Sequence, residues 1–183
     1  MVSSQGAFCL GFSQETRDVT TNAASRQGHM IEISKMHSHE ADALGELMWD
    51  AIHNTPGAYT DAERHAWCPV PNTGVAWAAR LGAQIVWVAR KGEKPCGFVT
   101  LADGGYVDFT YVHSAAQGLG VFRRLMTTLE ADARAQGTSR LSTHASLMAQ
   151  PAFAALGFHV IEHETVARGD QMLKRAQMEK TLK

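Results

Sequence analysis

The spacing of apolar residues along the chain predicts short helices first and strands after them. A short strand is predicted over residues 30–36. Residues 38–52 then place their apolar side chains on one helical face, at Leu44, Leu47, Met48, Ala51 and Ile52. Thr60 and Glu63 have the spacing of a capping box, which predicts the start of a second short helix. Residues 74–81 are a further helix candidate.

Strand signals dominate the middle of the chain. Strands are predicted over residues 85–89, 96–101 and 106–113, because these apolar runs are separated by glycine-containing turns. Three strands joined by short turns are expected to form an antiparallel meander. An amphipathic helix is predicted over 118–136, and Gly137 is its natural stop.

The end of the chain completes the predicted fold. A strand is expected over 140–143, a short helix over 151–156, and two strands over 158–166 and 172–178. Helices, a meander, a β-α-β unit and a hairpin, in this order, are typical of an α+β fold. We therefore predict a mixed, mostly antiparallel central sheet that is flanked by helices.

Composition divides the chain into two parts. Residues 1–29 are rich in Ser, Thr, Gln, Asn and Gly and lack periodicity, so we interpret them as a leader, either disordered or loosely packed. Residues 30–183 have the length of one domain. The N-terminus lacks a basic segment followed by an apolar run, so no secretory signal is predicted and a cytoplasmic location is expected.

Charge and cysteine content exclude several classes of function. The net charge of -1 argues against a nucleic-acid surface, and no apolar run is long enough to span a membrane. Cys9, Cys68 and Cys96 suggest neither a disulfide framework nor a zinc site. His37 and His39 are close in sequence but no third ligand follows, so no metal site is predicted.

The segment 111–122 carries the chemistry that the sequence shows most clearly. A strand leads into a loop containing Gly118 and Gly120, and the loop leads directly into the long helix. The free N–H groups at such a helix start bind phosphate, and glycine lets ligand oxygens approach the backbone. The alternative is that these glycines only shape a tight loop. Neither a Rossmann nor a Walker fingerprint is present.

Two motifs resemble those of the GNAT superfamily of N-acetyltransferases. Residues 117–122 are similar to its Gln/Arg-x-x-Gly-x-Gly/Ala pyrophosphate loop, and residues 146–158 are similar to its Asn-x-x-Ala-x-x-x-Tyr-x-x-x-Gly-Phe signature. The resemblance implies transfer of an acetyl group from acetyl-CoA to a primary amine by direct attack in a ternary complex. The residues implied in cofactor binding are Tyr111, Val112, Gln117, Gly118, Leu119, Gly120, Val121, Phe122, Ser146 and Phe153.

The chain departs from the family pattern at three positions. Phe122 stands where a small residue is usual, and Ser146 stands where Asn is usual. Phe153 stands where the family often has the Tyr that is proposed to protonate the leaving thiolate, so that acid cannot be carried over. The alternative function is therefore a catalytically silent acyl-CoA-binding or regulatory module on the same fold.

Two residues are candidates for acid–base chemistry. Asp108 is either a base facing the cleft or a partnered structural acid. His144 ends a strand beside the expected cleft, where it is either a proton-transfer group or a structural histidine bonded to backbone. Tyr111 is expected to share a face with Val107 and Phe109, which favours core packing.

The acceptor site is expected in the helical region. In enzymes of this family that region shapes the acceptor pocket, and its candidate contacts are His53, Tyr59 and Trp67. The acceptor is a small-molecule or protein amine, with an amino acid, a polyamine, an aminoglycoside and a protein amine all left open. No nucleic acid, membrane or metal is expected as a partner. Pairing of the outer strands into a homodimer is also left open.

Overall fold

The computed structural model of the chain describes residues 30–183. The interpretation of residues 1–29 as a leader therefore lies outside the described residues. Within residues 30–183, every helix is too short or too polar to cross a membrane.

The first half of the described chain builds a four-stranded antiparallel sheet in the order β1-β2-β3-β4. Three helices separate its first two strands. The elements are β1 (Ile31–Lys35), α1 (Ala41–His53), α2 (Asp61–Trp67), α3 (Gly74–Gly82), β2 (Ile85–Lys91), β3 (Lys94–Leu101) and β4 (Thr110–Val112). The predicted capping box is present: Thr60 Oγ1 accepts from the N–H of Glu63, whose carboxylate accepts from the N–H of Thr60.

The second half adds a long helix and a three-stranded antiparallel sheet in the order β5-β7-β6. Its elements are α4 (Val121–Ala135), β5 (Arg140–Ser146), α5 (Gln150–Ala154), β6 (His159–Arg168) and β7 (Gln171–Thr181). The predicted elements are thus all found, although their ends differ by a few residues.

Among the described residues, the backbone bridge between the two sheets lies just before β4. An isolated parallel bridge joins Tyr106 to Ser142, and the N–H of Val107 donates to the carbonyl of Ser142 at 2.8 Å. Beyond this bridge β4 pairs only with β3, so the sheets diverge and a cleft opens between β4 and β5.

This bridge corrects the third predicted strand. Residues 106–113 were expected to form one regular strand, but only Thr110–Val112 does so. Residues around Tyr106 leave β3 to contact β5 after a turn in which Gly104 and Gly105 have φ of 71° and 80°. The alternation is therefore broken: Val107 lies in the core cluster under α4, whereas Phe109 and Tyr111 pack on the cluster under α1.

Gly97 sets the distance between the two layers beside the cleft. A Cβ atom at this position would lie 2.9 Å from Val121 Cγ1 and 3.1 Å from Leu125 Cδ1. Only a residue without a side chain allows α4 to pack this closely on β3. Because Val121 is the first residue of α4, this contact also fixes where the helix begins relative to β4.

Candidate active site

A cavity of about 460 Å³ occupies the cleft between the diverging strands. Its walls come from four regions, which are the stretch from the end of α1 through α2, strand β4, the loop before α4 together with its first turn, and segment 146–156. The lining is mainly apolar. Within residues 30–183 it includes no Asp, Glu or His side chain, and its charged members are Arg64 and Arg123.

The start of α4 presents unpaired main-chain donors at this cavity. Gly120 is the N-cap, and both it and Gly118 have the positive φ values of 74° and 76° that favour glycine. Among the described residues, no main-chain N–H from Gly118 to Arg123 donates to a protein main-chain acceptor. These donors lie at the positive end of the helix dipole, which is where anions bind.

The charge at the first turn of α4 also favours the binding of an anion. The turn carries Arg123 and Arg124 and no acidic residue. Cations at a helix N-terminus are unfavourable without a compensating anion, since they face the positive end of the dipole. Arg124 donates to the carbonyl of Ile31 at 2.6 Å, whereas Arg123 is exposed at the cavity wall.

Strand β4 offers a second set of donors. Tyr111 lies opposite Phe98 in the register of β3 and β4, and the N–H of His113 donates to a β3 carbonyl at 3.0 Å. Main-chain groups alternate in direction along a strand, so the N–H of Tyr111 faces β3. Those of Thr110 and Val112 face the open side of the cleft. Strand β4 therefore presents the N–H groups of Thr110 and Val112 to the cleft.

Polar side chains surround this open edge. Thr110 lines the cavity, but its hydroxyl is buried and has no hydrogen-bond partner among the described residues. Gln117 Nε2 donates to the carbonyl of Val112 at 3.2 Å and to Thr55 Oγ1 at 2.6 Å. Gln117 therefore ties the glycine loop both to β4 and to the segment after α1.

Most of the residues predicted to contact the cofactor line the cavity. They are Tyr111, Val112, Gln117, Gly118, Gly120, Val121, Phe122 and Ser146. The structure does not place Leu119 and Phe153 there. Leu119 points to solvent with 59% of its surface exposed. Phe153 is only 2% exposed because its ring packs edge-on against Phe122 and Phe158 in the core, which corrects the expectation that it reaches a ligand.

Tyr59 and Trp67 of the predicted acceptor region also line the cavity. The Tyr59 hydroxyl donates to the carbonyl of Lys174 at 2.6 Å and accepts from the N–H of Leu147 at 3.0 Å. Burial raises the pKa of Tyr59, so the hydroxyl keeps its proton. Its ring meets Trp67 edge-on at 5.6 Å.

His53 is a correction to the predicted acceptor contacts. Its Nε2 lies 2.8 Å from the carbonyl of Cys68, and its ring stacks on Trp49 at 4.4 Å. Both contacts turn the imidazole into the packing between α1 and α2, and it does not line the cavity.

Asp108 is a second correction. Its carboxylate accepts from Arg80 Nη2 at 3.1 Å and from Gln84 Nε2 at 3.0 Å, and it does not line the cavity. These contacts favour the structural alternative over a cleft-facing base. The bend of the chain at the β4–β5 bridge turns this carboxylate toward α3.

His144 lies outside the cavity lining but in a chain of polar groups. Its Nδ1 is 2.9 Å from the hydroxyl of Tyr106 and its Nε2 is 3.1 Å from Glu164 Oε1. Arg175 donates to the other oxygen of Glu164 at 3.1 Å. A carboxylate beside Nε2 favours the tautomer with its proton on Nε2, which leaves Nδ1 to accept from Tyr106. Burial, followed by the charge of Asp108, raises the pKa of Tyr106.

Sequence reasoning missed several residues around the cavity. Arg64 donates to four main-chain carbonyls, at 2.7 Å to Thr55 and at 3.0–3.2 Å to three others. Met148 Sδ accepts from the N–H of Ala58 at 3.3 Å, and Gly57 leaves the space that this sulfur occupies. The partners of Arg64 lie 5 to 12 residues away, and those of Met148 lie about 90 residues away, so no helical or strand spacing marks these residues. No group of side chains suited to metal binding occurs in residues 30–183.

Comparison with known proteins identifies the family to which the chain belongs. A model of the acetyltransferase (GNAT) domain family matches residues 58–182, which is more than half of the chain. No curated protein matches the chain.

Solved structures agree with this match. A GCN5-related N-acetyltransferase from Rhodopseudomonas palustris is 28% identical with a TM-score of 0.78, over 85% of this chain and 100% of that chain. The yncA protein of Salmonella typhimurium, solved with its cofactor acetyl-CoA, is 22% identical with a TM-score of 0.61, over 84% and 95%. The PaiA N-acetyltransferase of Thermoplasma acidophilum, solved with coenzyme A, is 16% identical with a TM-score of 0.63, over 83% and 99%. The last two show the fold alone, and the predicted α+β fold is confirmed.

Proposed function

We propose, from the premise that this chain belongs to the acetyltransferase (GNAT) family, that it transfers an acetyl group from acetyl-CoA to a primary amine by direct attack. One observation carries the proposal: the start of α4 and the edge of β4 both present unpaired main-chain N–H groups to the same apolar cavity. An anionic carrier with a long apolar arm matches both the donors and the apolar walls.

The residues of the glycine loop fit the diphosphate of such a carrier. A Cβ atom built at Gly118 or at Gly120 meets nothing within 4 Å, so the space beside this backbone is open to a ligand. The N–H groups of the first turn of α4 hold the phosphate oxygens, and Arg123 adds a positive charge. Phe122 does not obstruct the loop, since its ring packs against Phe153.

The edge of β4 fits the thioester end. Acetyl-CoA supplies an activated thioester, whose carbonyl carbon accepts the amine nitrogen as the thiolate leaves. The N–H groups of Thr110 and Val112 face the cleft and stabilise the charge that develops on the thioester oxygen.

The proton of the attacking amine leaves through the polar chain beside the cleft. No base lines the cavity within the described residues, so proton removal needs a group at its edge. Neither Tyr106 nor His144 lines the cavity, so a water molecule carries the proton of the amine to the Tyr106 oxygen as Tyr106 passes its own proton to His144 Nδ1. Glu164 holds the resulting imidazolium. In this route the water meets the substrate, whereas Tyr106, His144 and Glu164 act through it.

A binding experiment with a matched glycine pair tests the proposed function. Gly118 and Gly92 both have positive φ and open space around a built Cβ, but only Gly118 lies on the loop at α4. Gly118→Ala and Gly92→Ala therefore suffer similar backbone strain. We expect titration calorimetry with acetyl-CoA to show at least about tenfold weaker binding for Gly118→Ala only. Equal loss in both variants, or no binding by the wild type, would refute the proposal.

Release of free thiol with a panel of primary amines tests the transfer step. Acetyl-CoA binding without release for any amine would favour the silent acyl-CoA-binding module instead. For the proton route, Tyr106→Phe is expected to lower kcat about 10²–10⁴-fold with unchanged acetyl-CoA affinity. Glu164→Gln is expected to lower kcat as well, because it removes the charge that holds the imidazolium. Wild-type kcat in both variants would exclude this route.

A further inference from the structure

Arg64 is half-buried but has no anionic partner in the described chain. Among residues 30–183, the arginines that are buried or half-buried are Arg64, Arg90 and Arg175. Arg90 is paired with Glu40, and Arg175 is paired with Glu164. All hydrogen bonds of Arg64 go to neutral main-chain carbonyls instead. A partly desolvated cation is stabilised by a nearby anion, so this position favours an anionic ligand.

The geometry of Arg64 leaves one donor group free. Its Nε and Nη1 are engaged by the carbonyls of the segment from Ile52 to Tyr59, which hold the side chain in one orientation. Nη2 donates to no protein acceptor in the described residues, and it is absent from the atoms that are both buried and unpaired. It is therefore an accessible donor on a residue that lines the cavity.

The position of Arg64 separates it from the phosphate loop. Arg64 belongs to α2, on the wall that also carries Tyr59 and Trp67, whereas the donors for phosphate belong to the first turn of α4. These two aromatic rings give the wall beside the arginine an apolar surface. Because the cavity lining of the described chain has no carboxylate, it has nothing to neutralise a polycation.

We propose that Arg64 binds a carboxylate of the acceptor, and that the acceptor is a small amino acid with an apolar side chain. The inference rests on the proposed function, since it names the substrate class of the same site. Of the acceptors that the sequence left open, a polyamine and an aminoglycoside carry only the wrong charge. A carboxylate at Nη2 orients the molecule, and its apolar side chain lies against Tyr59 and Trp67.

Matched pairs of acceptors test the inference without any mutation. L-Phenylalanine and L-methionine are compared with phenethylamine and 3-(methylthio)propylamine, which lack only the carboxylate, and with spermidine. We expect kcat/KM to be about 10- to 100-fold higher for the amino acids, as for a charge-assisted hydrogen bond. Equal rates within each pair, or a preference for spermidine, would overturn the inference.

Variants of Arg64 identify the anion that it binds. Arg64→Gln is expected to remove the preference for the carboxylate while the affinity for acetyl-CoA stays unchanged. Arg168→Gln, an exposed arginine away from the cavity, is the control and keeps the preference. Arg64→Lys retains the charge and is expected to keep part of the preference. If Arg64→Gln instead loses acetyl-CoA affinity and keeps the preference, the anion is a carrier phosphate and the inference is wrong.

A binding experiment distinguishes failure of this inference from failure of the proposed function. Titration calorimetry with L-phenylalanine is run on protein saturated with coenzyme A, so that binding is measured without any acetyl transfer. Binding that Arg64→Gln abolishes, without thiol release by the wild type, supports the carboxylate site and refutes acetyl transfer to this acceptor. Thiol release from decarboxylated amines alone gives the opposite result, which supports acetyl transfer and refutes the site.

Discussion

Replacing Gly97 by Ala tests whether the packing of α4 on β3 holds the donors of the helix start in place. Gly97 lies on β3, two strands from the β5 wall of the cleft, and contacts no ligand in the proposed arrangement. A Cβ atom there would lie 2.9 Å from Val121 Cγ1, 3.1 Å from Leu125 Cδ1 and 3.3 Å from the carbonyl oxygen of Tyr111. The substitution therefore acts on the cleft only by moving α4 or β4.

The expected magnitude follows from these distances. Ordinary contact begins at 3.4 Å, so Val121 has to move by about 0.5 Å. Overpacking of this kind costs about 1–3 kcal/mol in the free energy of unfolding. The same displacement shifts the first N–H groups of α4 against the phosphates. Loss of one charge-assisted hydrogen bond, worth about 1.5–3 kcal/mol, weakens acetyl-CoA binding about tenfold or more.

Urea denaturation and acetyl-CoA titration measure the two effects, with Gly82→Ala as the control. Gly82 ends α3, and a Cβ atom there meets nothing within 4 Å. This control is expected to leave affinity unchanged and stability equal or up to about 1 kcal/mol higher. If Gly97→Ala keeps wild-type stability and affinity, the contact between Gly97 and Val121 does not position the helix start.

Three further substitutions test the supports of the cleft, each by urea denaturation. Thr60→Ala removes the cap of α2 and is expected to cost about 1 kcal/mol, whereas Thr60→Ser should cost less. Tyr59→Phe removes two hydrogen bonds, to main-chain groups of β7 and of the residue after β5, and is expected to lower the free energy of unfolding by about 1–3 kcal/mol. An unchanged free energy of unfolding would show that these bonds do not stabilise the fold. Glu40→Gln breaks the buried pair with Arg90 and is expected to cost about 3–5 kcal/mol at pH 7. Burial raises the pKa of Glu40, but Arg90 and the N–H of His37 together outweigh burial, so the pKa lies below 4.5. The loss of stability in Glu40→Gln is therefore complete above pH 4.5 and shrinks as the pH falls through the lowered pKa. A loss that grew in acid would contradict this.

Local patterns determined much of what was predicted correctly. Helical spacing of apolar residues identified α1 and α4, because a buried helix face repeats with the period of the helix itself. The capping box at Thr60 and the glycine loop at Gly118 are local as well, since each depends on the conformation of a few consecutive residues. For this reason the sequence indicated the GNAT motifs and the location of the cleft at the start of α4.

Strand 106–113 shows where local patterns stop being sufficient. Its apolar residues alternate as a strand should, but the structure keeps only Thr110–Val112 in the ladder with β3. Phe109 still bonds to Thr100 of β3, but Val107 donates to Ser142 of β5, a strand more than 30 residues later, and Val107 packs in a different core cluster from Phe109. The choice between two competing strand partners is a tertiary effect that the spacing of the segment does not contain.

Side-chain roles depended on tertiary structure for the same reason. Arg80 of α3 pairs with Asp108, which favours the structural role over the base that the sequence also allowed. Phe122 and Phe158 pack against Phe153, which places its ring in the core. Arg64 gave no signal at all, because its significance lies in the lack of a carboxylate among its neighbours. The sequence by itself determined the elements and the phosphate loop, whose physics is local. Only the packing of distant elements decided which charges are paired and which face the cavity.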